Sequence, residues 1–305
     1  MPNLHPRLRC LAHQFRPSPV MRIIDADFAA RGVELWIKRD DLLHPIISGN
    51  KWRKLKYGLD HALQLGADTL ISMGGAYSNH LHALAYAGHS LGLSTQGLIR
   101  GECPDKLNPT LCDLQAWGMQ LRFVSRDDYR QLRQYQQYDA LPDLPIGGYW
   151  LPEGGASDLA LRGVAEIIDE IDRVYDVLVV ACGTGTTLAG LITAASCETQ
   201  VLGIAALKGA AFLIEDVKRL LSQHTPIQAQ WDILLDYHHG GFAKNTAALL
   251  AFMHDMQSRH RLPLEPVYTA KALYAIYDLL HRDYFKPGQR VLMIHTGGLQ
   301  GTRNS

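Results

Sequence analysis

The 305 residues carry thirty Lys and Arg against thirty Asp and Glu, so no net field draws the chain to nucleic acid or to an anionic membrane. Hydrophobic residues at 47% and charged residues at 20% exclude a disordered chain and supply core enough for about two domains. The five cysteines (Cys10, Cys103, Cys112, Cys182, Cys197) are scattered and lack C-x-x-C spacing, which argues against structural zinc or a disulfide framework and for a reducing cytoplasm. Residues 1–16 lack the continuous apolar run of a signal peptide, and no stretch approaches the ~20 apolar residues of a membrane span.

In chain order, the first informative segment is Ser48-Gly49-Asn50-Lys51-Trp52-Arg53-Lys54-Leu55. Asn50 is a favoured N-cap residue, which places Lys51 in the first turn of a helix. A cation there opposes the positive end of the helix dipole by about 0.3–1 kcal/mol. That penalty favours the neutral amine, the form that condenses with an aldehyde to a Schiff base. A solvated basic run (Lys51, Arg53, Lys54, Lys56) fits the same residues.

Thr69 to Met73 then reads as a buried strand ending at Gly74-Gly75, and Asn79 to Leu93 as a helix stopped near Gly92. Strand 95–99, helix 109–117 and strand 120–124 follow. A polar, Pro- and Gly-containing stretch over 131–148 marks a break. A second round comprises helix 158–171, strand 176–181, helix 187–195, strand 200–205, helices 212–221, 245–259 and 271–282, and a closing strand 290–294. Strands separated by helices of this length predict an α/β fold with two doubly wound parallel-sheet domains.

Three glycine-containing loops stand at predicted strand ends, where open parallel sheets bind ligands. Gly183-Thr184-Gly185-Thr186-Thr187 offers backbone N–H groups and hydroxyls to one phosphate. Leu188 occupies the place of the third glycine in a dinucleotide fingerprint, which argues against a nucleotide-dependent oxidoreductase. Gly74-Gly75-Ala76-Tyr77-Ser78-Asn79-His80 reads as an N-capped helix start. His295-Thr296-Gly297-Gly298 places a hydroxyl after the last strand. Taken singly, each loop also fits an ordinary turn or cap.

The ordered set of motifs resembles the D-cysteine desulfhydrase and 1-aminocyclopropane-1-carboxylate deaminase family of fold-type II pyridoxal-phosphate enzymes. The likeness runs from Lys38-Arg39-Asp40-Asp41 through Ser48–Lys51, Ser78-Asn79-His80, Gly183–Thr187 and Pro266-Val267-Tyr268-Thr269 to Thr296-Gly297-Gly298. It implies that Lys51 holds pyridoxal 5'-phosphate as a Schiff base, in the cleft between the two domains. By the same resemblance Asn79 bonds the ring hydroxyl, Gly183 to Thr187 cradle the phosphate, and Thr296 faces the pyridine nitrogen. Ser78, Asn79, His80 and Tyr268 then face the substrate, with Lys51, Ser78 and Tyr268 as the catalytic set. The larger, cofactor-binding domain is expected from 1–51 and 146–305, and the smaller from 52–145.

Ring-opening members of the family carry Gln after Ser-Asn and Glu after the active-site tyrosine, where this chain has His80 and Thr269. The resemblance therefore leans toward α,β-elimination on a small amino acid, D-cysteine giving pyruvate, ammonia and sulfide. The alternatives are a 1-aminocyclopropane-1-carboxylate deaminase and, from another class, a non-catalytic protein that binds the cofactor or an amino acid. A homodimer is what the resemblance implies. Asp236 to Phe242, with adjacent His238 and His239, lacks the spacing of a metal pair and receives no chemistry.

Overall fold

The computed structural model describes residues 4–224 and 226–303. The chain begins with α1 (Pro6–Ala12), β1 (Val20–Ile23), α2 (Ala26–Ala30), β2 (Glu34–Lys38) and α3 (Asn50–Gln64). Next come β3 (Thr69–Gly74), α4 (Asn79–Leu91), β4 (Ser94–Arg100), α5 (Pro109–Ala116), β5 (Met119–Val124), α6 (Arg126–Leu132) and β6 (Gly148–Leu151). The rest is α7 (Asp158–Asp169), β7 (Val177–Cys182), α8 (Thr186–Ala194), β8 (Gln200–Ala205), α9 (Phe212–Leu221), β9 (Gln230–Leu234), α10 (Ala247–His260), α11 (Thr269–His281) and β10 (Arg290–Ile294).

Two sheets result, in the orders β5-β4-β3-β6 and β1-β2-β10-β7-β8-β9. All pairings are parallel except that of β1, which runs antiparallel to β2 at one edge. Every residue of β7 is buried, the signature of a strand covered by helices on both faces. The six-stranded sheet separates two apolar layers. Val179, Met293 and Leu273 belong to one, and Val180, Leu292 and Leu188 to the other. The four-stranded sheet packs against α3 and α4 through Leu55, Leu59, Leu81 and Leu84. Leu8 and Leu11 of α1 join that core.

Besides α1, β1, α2, β2, α6 and β9, which the sequence reading did not predict, two details differ from it. The N-cap of α3 is Gly49, at φ 64°, and Asn50 is the first helical residue. The cause is steric: a Cβ at residue 49 would overlap the Thr296 carbonyl, so only glycine allows this approach. Asn50 is thereby released from capping and reaches across to Thr187. The second detail is β6, which pairs with β3 in the register Thr69↔Gly148 to Ser72↔Leu151. The four-stranded sheet thus includes residues that follow the 52–145 segment expected for the smaller domain.

Candidate active site

The carboxyl ends of β3, β7 and β10 face the start of α3, and the loops leaving them meet there. Asn50 is the tie. Its backbone N–H donates to Thr296 O at 3.3 Å, and its Nδ2 donates to Thr187 Oγ1 at 2.8 Å. Beside it, the Lys51 Nζ donates to Asn50 Oδ1 at 2.5 Å. Burial strips the Lys51 ammonium of water and pulls its pKa down to about 8, while the Glu265 carboxylate pushes the other way. The neutral Lys51 amine is therefore far more populated near physiological pH than that of an ordinary lysine, although the protonated form still predominates below pH 8.

The loop after β7 is a cradle of backbone donors. Gly185 stands at φ 72° as the N-cap of α8, and the N–H groups of Thr184 to Thr187 have no backbone acceptor among the described residues. Thr184 and Thr186 hold each other, Oγ1 to Oγ1, at 2.9 Å. An anion fits such a cradle for two reasons, the unpaired N–H groups and the positive end of the α8 dipole. Lys54, one turn along α3 from Lys51, is buried and has no hydrogen-bond partner among the described residues. Desolvation first, and the Lys51 charge second, hold its pKa well below the usual lysine range, and Cys182 at the end of β7 lies within its field. Lys54, whose field reaches Cys182 next to this loop, and the free N–H groups can together receive an anion. Pyridoxal phosphate, with one aldehyde and one phosphate, matches the pair formed by the Lys51 amine and this cradle.

Ser78 caps α4, its Oγ accepting from Leu81 N–H at 3.2 Å. The N–H groups of Asn79 and His80 in the same first turn are unpaired among the described residues. The Asn79 side chain faces the loop after β10. Its Oδ1 accepts from Gln300 Nε2 at 2.6 Å, and a Cβ on Gly298 would come within 2.9 Å of its Nδ2. The His80 ring turns inward, with Nε2 2.9 Å from Ser72 Oγ. Burial, then the charges of Lys51 and Lys54, lower its pKa to about 3, so the ring is neutral. Tyr268 lies over the phosphate loop. A Cβ at Gly183 would meet its ring Cε1 at 3.0 Å and its hydroxyl at 3.2 Å. Burial raises the Tyr268 pKa and keeps the phenol protonated. Thr296, nearly buried, closes the ring of residues through its carbonyl.

The structure thus brings Lys51, Ser78, Asn79, Thr184 to Thr187, Tyr268 and Thr296 around one centre, with the His80 ring behind them. Two residues of that centre escaped the sequence reading. Lys54 registered only as part of a basic run. Glu265 was passed over because nothing in Leu264-Glu265-Pro266 sets it apart from a surface acid. It is in fact buried, and its carboxylate accepts from the N–H groups of Val267, Tyr268 and Thr269 at 2.8, 2.7 and 2.6 Å. Burial raises its pKa against the lowering effect of these bonds. Thr269 is buried as well and spends its hydroxyl on the Glu265 backbone. The position therefore lacks an acid, but the neighbourhood does not. The segment before α10 is held to the core from below, since the buried Lys271 donates to Gly241 O at 2.9 Å. Phe242 meets the Tyr268 ring edge-on at 6.1 Å.

Comparison with known proteins points to the same chemistry. A Pyrococcus horikoshii protein provisionally named as a 1-aminocyclopropane-1-carboxylate deaminase is 34% identical over 288 residues, 89% of this chain and 86% of that protein. The bifunctional D-cysteine desulfhydrase/1-aminocyclopropane-1-carboxylate deaminase of Arabidopsis thaliana mitochondria is 31% identical over 95% of this chain and 78% of its own. A solved structure of an ACC deaminase homologue superimposes with a TM-score of 0.75 at 28% identity, covering 98% of this chain and 97% of the other. Residues 12–297 match the family described as pyridoxal-phosphate dependent enzymes, and the chain belongs to that family.

Proposed function

We propose that this enzyme eliminates the β-substituent of a small amino acid and releases ammonia, with D-cysteine giving pyruvate and sulfide. The observation that carries the reading is the Lys51 amine, held at a pKa of about 8 and tied through Asn50 to the donor cradle at Thr187. In the reading proposed here Lys51 binds the cofactor aldehyde and residues 183–187, with Lys54, hold its phosphate. Asn79 and Thr296 orient the ring. Bound pyridoxal phosphate supplies a conjugated acceptor for the electron pair left at Cα.

The chain's own groups do the rest. The cap hydroxyl of Ser78 and the free N–H groups of Asn79 and His80 bind the substrate carboxylate at a helix N-terminus. The Lys51 amine takes the proton from Cα. Tyr268, protonated and adjacent to Gly183, donates to the departing sulfur. Ring opening of 1-aminocyclopropane-1-carboxylate is the second reading, supported by the names of the relatives. We further place the enzyme in the cytoplasm, a setting that suits its scattered free cysteines, and as a homodimer, as the family resemblance implies.

An absorbance spectrum of the purified protein and of Lys51→Ala, each given D-cysteine and the cyclopropane acid in turn, tests the proposal. The wild type should show a visible band lost on borohydride reduction, and should release pyruvate and sulfide from D-cysteine. The variant should show neither band nor turnover. A colourless protein that cannot be loaded with the cofactor would overturn the reading, and 2-oxobutyrate from the cyclopropane acid would establish the second.

A further inference from the structure

A cluster of arginines lies near the candidate active site. Arg100 at the end of β4, Arg126 and Arg130 on α6, and Arg133 just after it line one pocket with Tyr129 and Glu153. Two of the four are neutralised. Arg133 Nε pairs with Glu153 at 2.9 Å and Arg130 Nη1 with Asp127 at 3.0 Å. Glu153 also accepts from Tyr129 Oη at 2.6 Å. Arg100 and Arg126 have no acidic partner among the described residues. Arg100 lies only over the Tyr129 ring, 5.6 Å from its centroid.

The pocket adjoins the candidate active site at three points. Arg100 Nη2 would be 3.9 Å from a Cβ on Gly75, in the loop that leads to Ser78. The residues that follow Glu153 abut the site itself, since a Cβ on Gly154 would stand 2.9 Å from Thr184 and one on Gly155 3.1 Å from the His80 ring. The charges of Arg100 and Glu153 both reach the Tyr268 hydroxyl. A neutral substrate such as D-cysteine leaves the two free guanidiniums unengaged. An oxyanion would meet them with charge-assisted, bidentate hydrogen bonds.

Resting on the elimination reading above, we propose that the preferred substrate is an amino acid whose β-substituent is or carries a second anionic group (a sulfonate, a phosphate ester, or a carboxylate borne on a leaving thiolate or alkoxide), received by Arg100 and Arg126. For a β-phosphate ester the elimination balances as follows. The Cα–H bond breaks and its proton passes to the Lys51 amine, while its electron pair becomes the Cα=Cβ bond. The Cβ–O bond breaks and phosphate leaves with the electron pair of that Cβ–O bond. Water then hydrolyses the resulting enamine to pyruvate and ammonium.

The test uses the full-length protein loaded with pyridoxal phosphate. Both hands of O-phosphoserine, cysteate and aspartate are titrated against serine and D-cysteine, by calorimetry and by the shift of the cofactor band. At least one acidic amino acid should shift the band and bind at least tenfold more tightly than serine of the same hand. Arg100→Gln and Arg126→Gln should each weaken that binding about tenfold, while serine affinity stays within twofold and the band is unchanged. The arms separate phosphate, sulfonate and carboxylate. Equal affinity for acidic and neutral amino acids, or arginine variants without effect, would overturn the proposal. So would arginine-dependent binding that leaves the band unmoved, since the anion would then sit outside the active centre. The band before any amino acid is added reports on the elimination reading separately: its absence fails both readings, its presence without acid preference fails only this one.

Discussion

Lys51 owes its charge state to opposed neighbours, burial lowering its pKa to about 8 and Glu265 raising it. The rate at which cofactor-free protein takes up pyridoxal phosphate should therefore climb with pH through a midpoint near 8, as the neutral amine becomes available. Glu265→Gln should move that midpoint down, and stopped-flow absorbance across pH 6.5–9.5 would read both. Stability follows the same linkage. Between about 8 and the ordinary lysine value of 10.5 the unfolded chain binds the proton that the folded one has lost. The Lys51 contribution to cofactor-free stability is thus at its worst below pH 8 and improves as pH rises to 10.5. A second residue-scale prediction concerns Arg53, which is buried and bonds Asp40 and Glu170, while Lys38 donates to Glu170 at 2.8 Å. Arg53→Met leaves the fully buried Asp40 with a weakened set of donors and should cost about 3–5 kcal/mol in chemical denaturation.

Among the elements, close approach of backbones decides more than helix propensity. Gly49 and Gly66 have similar φ, 64° and 72°, but very different surroundings. A Cβ at Gly49 would overlap the Thr296 carbonyl, whereas nothing lies within 4 Å of one at Gly66. Gly66→Ala should cost about 1 kcal/mol of strain, and Gly49→Ala at least ~3 kcal/mol together with cofactor affinity, read as thermal midpoints with and without cofactor. The same contrast explains what the sequence disclosed. Strand β7 is a continuous apolar run, β10 is one after Arg290, and β3 is interrupted only by Ser72, so their ends could be placed to within a residue or two. Strand β2 hid behind Glu34 and Lys38, because the buried Lys38 reads as a surface residue until Glu170, on the far side of the break, is known to meet it. The cradle and Lys51 were legible as motifs. Lys54 and Glu265 were not, since each acquires meaning only from the neighbours that folding supplies. Asn50 was legible as a polar residue at a helix start, but its role as a bridge depends on Thr187 and Thr296.

At the scale of the molecule, the two sheets are assembled differently. All strands of the four-stranded sheet come from residues 69–151 in an unbroken stretch, while β2 pairs with β10, from opposite ends of the chain. Contacts close in sequence form sooner than distant ones. Pulsed hydrogen exchange during refolding should therefore protect amides of β3 and β4 before those of β2 and β10; simultaneous protection would contradict this order. The loop after β10 also reaches the smaller sheet's helices, through Gln300 to Asn79 and through Arg303 Nη2 to Asp113 at 2.5 Å.

That the residues around Lys51 are drawn from 50–54, 78–80, 183–187, 265–268 and 296 has a consequence for the cell. On the proposed assignment a ribosome must have emitted the chain through residue 187 before one place can grip both the aldehyde and the phosphate, and through Thr296 before the site is complete. On that assignment, chains terminated before Thr296 should retain pyridoxal phosphate poorly, and retention would mark a polypeptide whose translation has passed that residue.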